Sequence, residues 1–194
     1  MSLRISYRGT LRDPNELESI LDDVFDLCIE IGWHFMPIHR SNIMPTRGIM
    51  ITPPDCEPIW LTFLPSGKLY DPSHFIYTSC PDLETINEEL GQWIVAKTHY
   101  AGADTHMALI KFFRYLNLKY FETFELHDQS QYWETDNVAL CLIRFGGFSE
   151  SIDDLRRQLA LDEHDEEEDD DFESAASRMD EALLRRGGSG ANLN

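Results

Sequence analysis

The chain has 194 residues, of which 42% are apolar, and a formal net charge of −19 at pH 7. This apolar content is sufficient for one domain to bury a core without disulfides or a structural metal. The excess of acidic side chains would be repelled by nucleic-acid phosphates and by anionic membrane surfaces, so we expect neither as a partner. The apolar run VALCLI has only the length of a buried strand, and the first ten residues lack the apolar middle of a signal peptide. We therefore expect a soluble, cytoplasmic protein.

Four cysteines lie far apart in the chain and form no C-x-x-C pair. Their spacing indicates neither a zinc finger nor an oxidising compartment. Cys28 falls on the apolar face of a predicted helix and Cys141 within a predicted strand, which indicates two core positions. Cys56 and Cys80 fall in predicted loops, where a structural and a reactive thiol are both open alternatives.

The first half of the chain predicts a strand, a long helix and further strands. Residues 3–7 alternate between apolar and polar side chains, as in a half-buried strand. Asp13 is the expected N-cap of the helix, Pro14 suits its first position, and Gly32 suits its end. Between them, apolar residues recur every three or four positions along one face. Strands are then expected over 33–39, 48–52 and 58–64, and a short helix over 81–90.

The second half begins with another alternating segment, residues 93–100. The alternation places Ile94 and Tyr100 towards the core and His99 away from it. Gly102 suits a turn with positive φ, and Asp104 is the expected cap of a second long helix. Three more strands are expected over 121–127, 131–135 and 138–145, followed by a short amphipathic helix from Ser149.

Together these elements predict an α+β domain over residues 1–161, with two main helices against a mostly antiparallel sheet. The order strand, Tyr-x-Gly, aspartate, long helix, aromatic strand and histidine occurs twice in the chain. A duplicated β-α-β-β-β unit is one interpretation of this order, and coincidence is the other.

The C-terminal part differs in composition. Residues 162–194 hold twelve acidic and three basic side chains, a net charge of −9. The pattern predicts an acidic linker over 162–171, an amphipathic helix over 172–186 and a flexible tail over 187–194. The acidic segment either keeps the protein soluble by repulsion between copies, or tethers the helix. A helix this short usually needs a surface to pack on, so in the second case we expect it to bind a partner protein or another copy of the chain. Its expected contact residues are Phe172, Ala176, Met179 and Leu183.

The segment THYAGADTH, residues 98–106, raises the question of a catalytic or metal site. His99 and His106, together with His127 and Glu134 from later strands, would form a site of His and carboxylate ligands if the fold brought them together. The simpler interpretation is a turn whose polar side chains complete backbone hydrogen bonds, because a spacing of seven residues matches no known ligand motif.

Aromatic residues suggest a second hypothesis. A ligand cleft would be lined by Trp60, Tyr132, Trp133 and Glu134. The alternative is that these aromatic side chains bury their rings at the margin of the sheet and keep their polar ends in water.

No phosphate-binding loop, dinucleotide fingerprint, nucleophile elbow or metalloprotease motif occurs in the sequence. We therefore predict a non-enzymatic protein-interaction or regulatory module that needs no cofactor. The alternative is a small enzyme or ligand-binding protein with a His/carboxylate pocket, and such a pocket could hold a metal ion.

Overall fold

The computed structural model describes residues 3–41, 45–73, 93–146 and 174–187 of the chain. Within these ranges the strands are β1 (Arg4–Leu11), β2 (His34–Ile38), β3 (Arg47–Thr52), β4 (Ile59–Phe63), β5 (Ile94–Lys97) and β6 (Phe121–Asp128). The α-helices are α1 (Leu17–Ile31), α2 (Gly102–Tyr120), α3 (Tyr132–Thr135), α4 (138–146) and α5 (Ala175–Arg185). Two 3-10 turns, Pro14–Glu16 and His99–Ala101, precede α1 and α2. None of these helices is both long enough and apolar enough to span a membrane.

The strands form two antiparallel sheets of three strands each. One has the order β5-β1-β6 and the other the order β2-β3-β4. Tyr7 lies opposite Ile94 on one side and Leu126 on the other, and Met50 lies opposite Trp60. Helices and antiparallel strands together confirm the predicted α+β fold class.

A short segment, residues 67–70, connects the two sheets by hydrogen bonds on both of its sides. The amide of Leu69 donates to the carbonyl of Gly9 in β1, and the amide of Tyr70 donates to the carbonyl of Thr62 in β4, both at 2.9 Å. The core therefore continues from one sheet to the other.

Tyr7 supplies a second connection between the sheets. Its buried hydroxyl donates to the carbonyl of Trp60 at 2.9 Å and accepts from the amide of the same residue at 3.0 Å. Burial raises the pKa of this phenol well above its ordinary value, because the charged form would lie in the core. The phenol thus satisfies two backbone polar groups on the side of β4 where no strand of the described ranges pairs with it.

One apolar cluster holds the sheets and helices together. Alternate strand residues and one face of each long helix contribute fully buried side chains, among them Ile5, Tyr7, Val24, Leu27, Ile49, Ile51, Leu61, Phe63, Leu109 and Phe113. The intervening strand residues point to the opposite face of the sheets, where Met36, Val95 and His127 are exposed.

The first helix follows the prediction closely. The Asp13 carboxylate accepts from the amide of Asn15 at 2.9 Å, Pro14 begins the 3-10 turn, and Gly32 ends α1 at φ 75°. The capping residues and the apolar stripe agree about this element, and its buried face is the predicted one.

The predicted strands over 131–135 and 138–145 are wrong, because both segments are helical. Asn137 explains the second error: its side-chain oxygen accepts from the amide of Leu140 at 2.9 Å and so starts α4. A short apolar run fits a buried helix as well as a buried strand. Cys141 is buried as predicted, but it lies on a helix.

The alternation predicted for 93–100 holds only as far as Thr98. The strand ends at Lys97, and the 3-10 turn that follows reverses the last two positions. Tyr100 is 71% exposed, whereas His99 is buried. The predicted orientations of Tyr100 and His99 are therefore both wrong, because a 3-10 turn does not alternate faces as a strand does.

The described residues do not show the duplicated β-α-β-β-β unit that is one of the two interpretations of the repeated sequence order. Three strands follow α1, but only β6 follows α2 before the chain becomes helical again. The helices expected over 81–90 and from Ser149 lie outside the described residues, as does Cys80.

Candidate functional site

The structure separates the three histidines of the predicted metal site. His106 is fully buried on α2, His99 lies in the turn before that helix, and His127 is exposed on β6. The His127 ring stacks on Trp93 at a centroid distance of 4.7 Å, on the sheet face away from the helices. Across the described ranges, no three His, Cys, Asp or Glu side chains are placed to hold a metal ion.

His106 instead belongs to a buried polar network with residues of the turn after β6. Its Nδ1 lies 2.9 Å from Oγ1 of Thr98, and its Nε2 lies 2.9 Å from Oγ of Ser130 and 3.1 Å from Oδ1 of Asp128. All four residues are buried. The network therefore connects the first turn of α2 to the end of β6.

Asp128 is the acceptor at the centre of this network. Its Oδ1 also accepts from the amide of Ser130 at 2.7 Å, and its Oδ2 accepts from the Ser130 hydroxyl at 2.7 Å. The amides of Tyr132 and Trp133 donate to the same Oδ2 at 2.9 and 3.0 Å. Burial alone would raise the pKa of Asp128, but hydrogen bonds and charge from His106, with Ser130 and Trp133, lower it.

Ser130, His106 and Asp128 are the residue types of a catalytic triad, but their hydrogen bonds run in another order. An ionised carboxylate only accepts, so the single Ser130 hydroxyl proton points to Asp128. His106 Nε2 must then donate, whereas the base of a triad accepts the proton of its serine. Because the serine is also fully buried, this arrangement stabilises the turn and does not activate a nucleophile.

Cys141 lies beside the same network on α4. Burial is the main cause that raises the pKa of its thiol. A protonated, buried thiol packs as a small apolar side chain.

The four residues of the predicted aromatic cleft do not line one pocket. Tyr132, Trp133 and Glu134 share the single turn of α3, where Tyr132 is buried and Glu134 is exposed. Trp133 packs edge-on against Phe124, which faces the core. Trp60 lies between the buried Ile59 and Leu61 of β4, so its side chain is on the face of the β2-β3-β4 sheet opposite to theirs.

Arg114 fills the space beside the α3 turn. Its guanidinium donates to the carbonyls of Tyr132 and Trp133 at 2.9 and 3.0 Å, and to Oδ1 of Asp136 at 2.5 Å. The guanidinium also lies 5.4 Å from the centroid of the Tyr132 ring. These contacts explain the aromatic pair as packing around a half-buried arginine side chain.

A shallow depression of about 170 Å³ lies on the outer face of β1 and β6. Its wall includes Arg8, whose Nη2 donates to both carboxylate oxygens of Glu125 at 2.8 Å and whose guanidinium lies 4.4 Å above the Trp93 ring. The depression is smaller than the roughly 300 Å³ at which ligand pockets begin. The Arg8 and Glu125 charges in it already pair with each other, so the depression gives no reason to infer a ligand.

The most distinctive surface is the one that α1 and α2 present to α5, which we call the helix groove. The α5 residues that pack into it are Ala175, Ala176, Met179, Ala182 and Leu183. The predicted contact residues Ala176, Met179 and Leu183 are buried there, and Phe172 lies outside the described residues. Most of this stripe is alanine, and small side chains allow helices to approach closely.

The N-terminus of α5 is held by Asp104 of α2. Its carboxylate accepts from the amide of Ala175 at 2.5 Å and from that of Ala176 at 3.1 Å. Ser174 adds a cap of its own by accepting from the amide of Ser177 at 3.1 Å. The prediction that Asp104 caps its own helix is therefore wrong: it serves another helix that lies 71 residues away in sequence.

Two further charged residues hold the middle and the end of α5. Lys111 Nζ lies 2.5 Å from Oδ2 of Asp180, and its side chain is only 20% exposed. Glu30 of α1 receives both Arg185 and Arg186, the latter at 2.5 Å. The helix groove thus presents a carboxylate, an ammonium and a second carboxylate in order along α5.

Sequence reasoning missed Asp104, Lys111 and Glu30 as binding residues. The signal available was on the helix itself, where Asp180 and the Arg185-Arg186 pair flank the apolar stripe. Which groove residues would meet them depends on tertiary contacts that no local pattern specifies.

No protein-family model, curated protein or solved structure matches this chain.

Proposed function

We propose that this protein is a non-enzymatic protein-interaction and regulatory module, and that the helix groove is its binding surface. In the proposed scheme α5 occupies the groove until a helix from a partner replaces it. This is the recognition mode in which an amphipathic helix lays its apolar face into a groove on another protein.

The observation that carries the proposal is how α5 joins the rest of the protein. It contacts the domain through one narrow stripe and three charged positions at its edges. The predicted linker before it, residues 162–171, holds nine acidic side chains and no lysine or arginine. Such a sequence favours a solvated tether over a packed connection, because it offers little apolar surface to bury.

The free energy of α5 docking is small enough for a partner helix to replace α5. Burial of Met179 and Leu183 contributes about 1.5–3 kcal/mol each, and ordering an eleven-residue helix offsets part of this gain. We expect a tether of this kind to give α5 an effective concentration on the order of millimolar. To replace α5, a partner helix must therefore bind the groove more tightly than an untethered α5 peptide would. The bound α5 thus sets the minimum affinity that a partner needs.

The proposal includes a cytoplasmic location and a protein partner, with nucleic acid and membranes excluded by the acidic charge. The described cysteines Cys28, Cys56 and Cys141 are free thiols, which supports a reducing compartment. No second function is proposed, because the histidines of the described ranges form no metal-binding group and Trp60 lies apart from the turn that holds Tyr132, Trp133 and Glu134.

Cleavage of the tether in the folded full-length chain tests the proposal. A site-specific protease sequence is placed within 162–171, and the C-terminus carries a fluorophore. After cleavage, we expect fluorescence anisotropy to show that the helix fragment stays bound to the domain and is released reversibly on dilution. Two matched variants test the contact face. Met179→Ala in the stripe should weaken rebinding, whereas Leu184→Ala at an exposed position should leave it unchanged. A fragment that leaves only when the domain unfolds would contradict the proposal.

A further inference from the structure

We propose that the helix groove selects its partner by charge order, and that the partner segment is a helix of another protein with net positive charge. This inference rests on the proposed function of the groove. The partner helix would have small residues in its first turn, an acidic residue near its middle and a basic pair at its end.

The first requirement comes from Asp104. It accepts from the amides of Ala175 and Ala176, and both alanines are buried against the groove. Their small side chains leave room for the Asp104 carboxylate to reach the two backbone amides. A carboxylate at a helix N-terminus also opposes the positive end of the helix dipole. A bulky residue in this turn would push the amides away from Asp104.

The second requirement comes from Lys111. Its ammonium contacts Asp180 and lies 3.4 Å from the carbonyl of Ala176, so it bridges the first two turns of the bound helix. The side chain is largely covered by α5, and a basic residue in place of Asp180 would confront this cation at short range. Like charges at an interface act strongly against the wrong partner.

The third requirement comes from Glu30. It accepts from both terminal arginines of α5 while its own side chain is only 24% exposed. Acidic residues in place of this pair would leave three carboxylates together. The matching side chains are also placed where a helix C-terminus favours cations.

Net charge gives the sign of the partner as a whole. Residues 1–161 carry 23 acidic and 13 basic side chains, so the domain attracts cations over long range. Segment 174–187 itself has three basic and two acidic side chains. A partner helix that is more basic at the exposed positions would associate faster than α5 without changing the contacts in the groove.

Peptide competition against the cleaved full-length chain tests this inference. Four peptides of sequence 174–187 are compared: the native one, Asp180→Lys, the double change Arg185→Glu with Arg186→Glu, and the control Leu184→Ala, which alters an exposed position without changing the charge. We expect native and control peptides to displace the labelled fragment equally, and each mismatched peptide to be about tenfold weaker or more. Lys111→Glu in the chain should restore binding of the Asp180→Lys peptide.

The outcomes are distinguishable. Equal displacement by all four peptides would overturn the charge-order inference and leave the proposed function standing. Failure of even the native peptide to displace the fragment would overturn both. If the uncut chain dimerises by exchanging α5 at concentrations below those at which the native peptide competes, the occupant is a second copy and the partner assignment is overturned.

Discussion

The turn after β6 and the helix groove both place charged side chains against apolar surroundings, but they do so in opposite ways. In the first, the Asp128 carboxylate receives five hydrogen bonds, three of them from backbone amides within five residues in sequence. In the second, Asp104, Lys111 and Glu30 bind one helix whose other face is open to solvent.

The difference shows where polar residues build the fold and where they recognise a surface. A network that is sealed and fully satisfied has no group left to offer a ligand, and breaking it leaves buried polar atoms unpaired. Charges at the rim of a packed stripe contribute less energy but discriminate between partners. The predictions below separate the two regions by their effect on global unfolding and on release of α5.

The largest effect is expected from His106→Ala. The change removes contacts with Thr98, Ser130 and Asp128 and leaves a buried cavity, so the free energy of unfolding should fall by about 4 kcal/mol. Denaturant titration followed by tryptophan fluorescence measures it. The exposed His127→Ala variant is the control and should lose less than about 1 kcal/mol. Equal losses in the two variants would show that the network is not structural.

Asp128→Asn should cost about 3 kcal/mol at neutral pH, because a neutral amide cannot accept all five hydrogen bonds. The sign of its pH dependence follows from the lowered pKa of Asp128. The stabilisation is complete above the ordinary carboxyl pKa and is lost as pH falls through the lowered folded-state value. The difference between wild type and variant should therefore shrink on acidification. A difference that stays constant down to pH 2 would contradict the assigned ionised state.

Met179→Ala should weaken docking of α5 by about 2 kcal/mol and leave the rest of the domain folded. Trypsin cleavage at Arg178 measures the open population, which should rise about thirtyfold. Leu184→Ala on the same helix is the control, since that side chain is 61% exposed. Equal cleavage rates in the two variants would place the contact face elsewhere.

The smallest effect is expected from the Lys111–Asp180 pair. A double-mutant cycle with Lys111→Met and Asp180→Asn should give a coupling of about 0.5 kcal/mol, since Asp180 is 41% exposed. Added salt should reduce the coupling. Reversing one charge costs more than removing it, so this small value is compatible with strong selection against a mismatched helix.

The elements with redundant local signals were predictable from the sequence. In α1 the cap Asp13, the apolar stripe and Gly32 all agree, and the structure confirms the element. In α4 the apolar run alone was ambiguous, and the Asn137 cap was the signal that would have corrected it. The stripe of α5 was predicted for the same reason as that of α1, namely a clear helical period.

The partners of those residues could not be predicted, because they come from distant parts of the chain. Asp104 has the sequence context of a cap for α2, yet it binds the amides of Ala175 and Ala176. His106 and Asp128 meet only because α2 and β6 pack together. Long-range contacts of this kind follow from the assembled fold and not from local pattern.

Native-state hydrogen exchange tests most directly whether α5 is a separable occupant of the helix groove. The amides of α5 should exchange through an opening whose free energy is lower than that of β1 and α2 and depends only weakly on denaturant. Exchange of α5 only through global unfolding, with the same free energy and denaturant dependence as the core, would contradict the account.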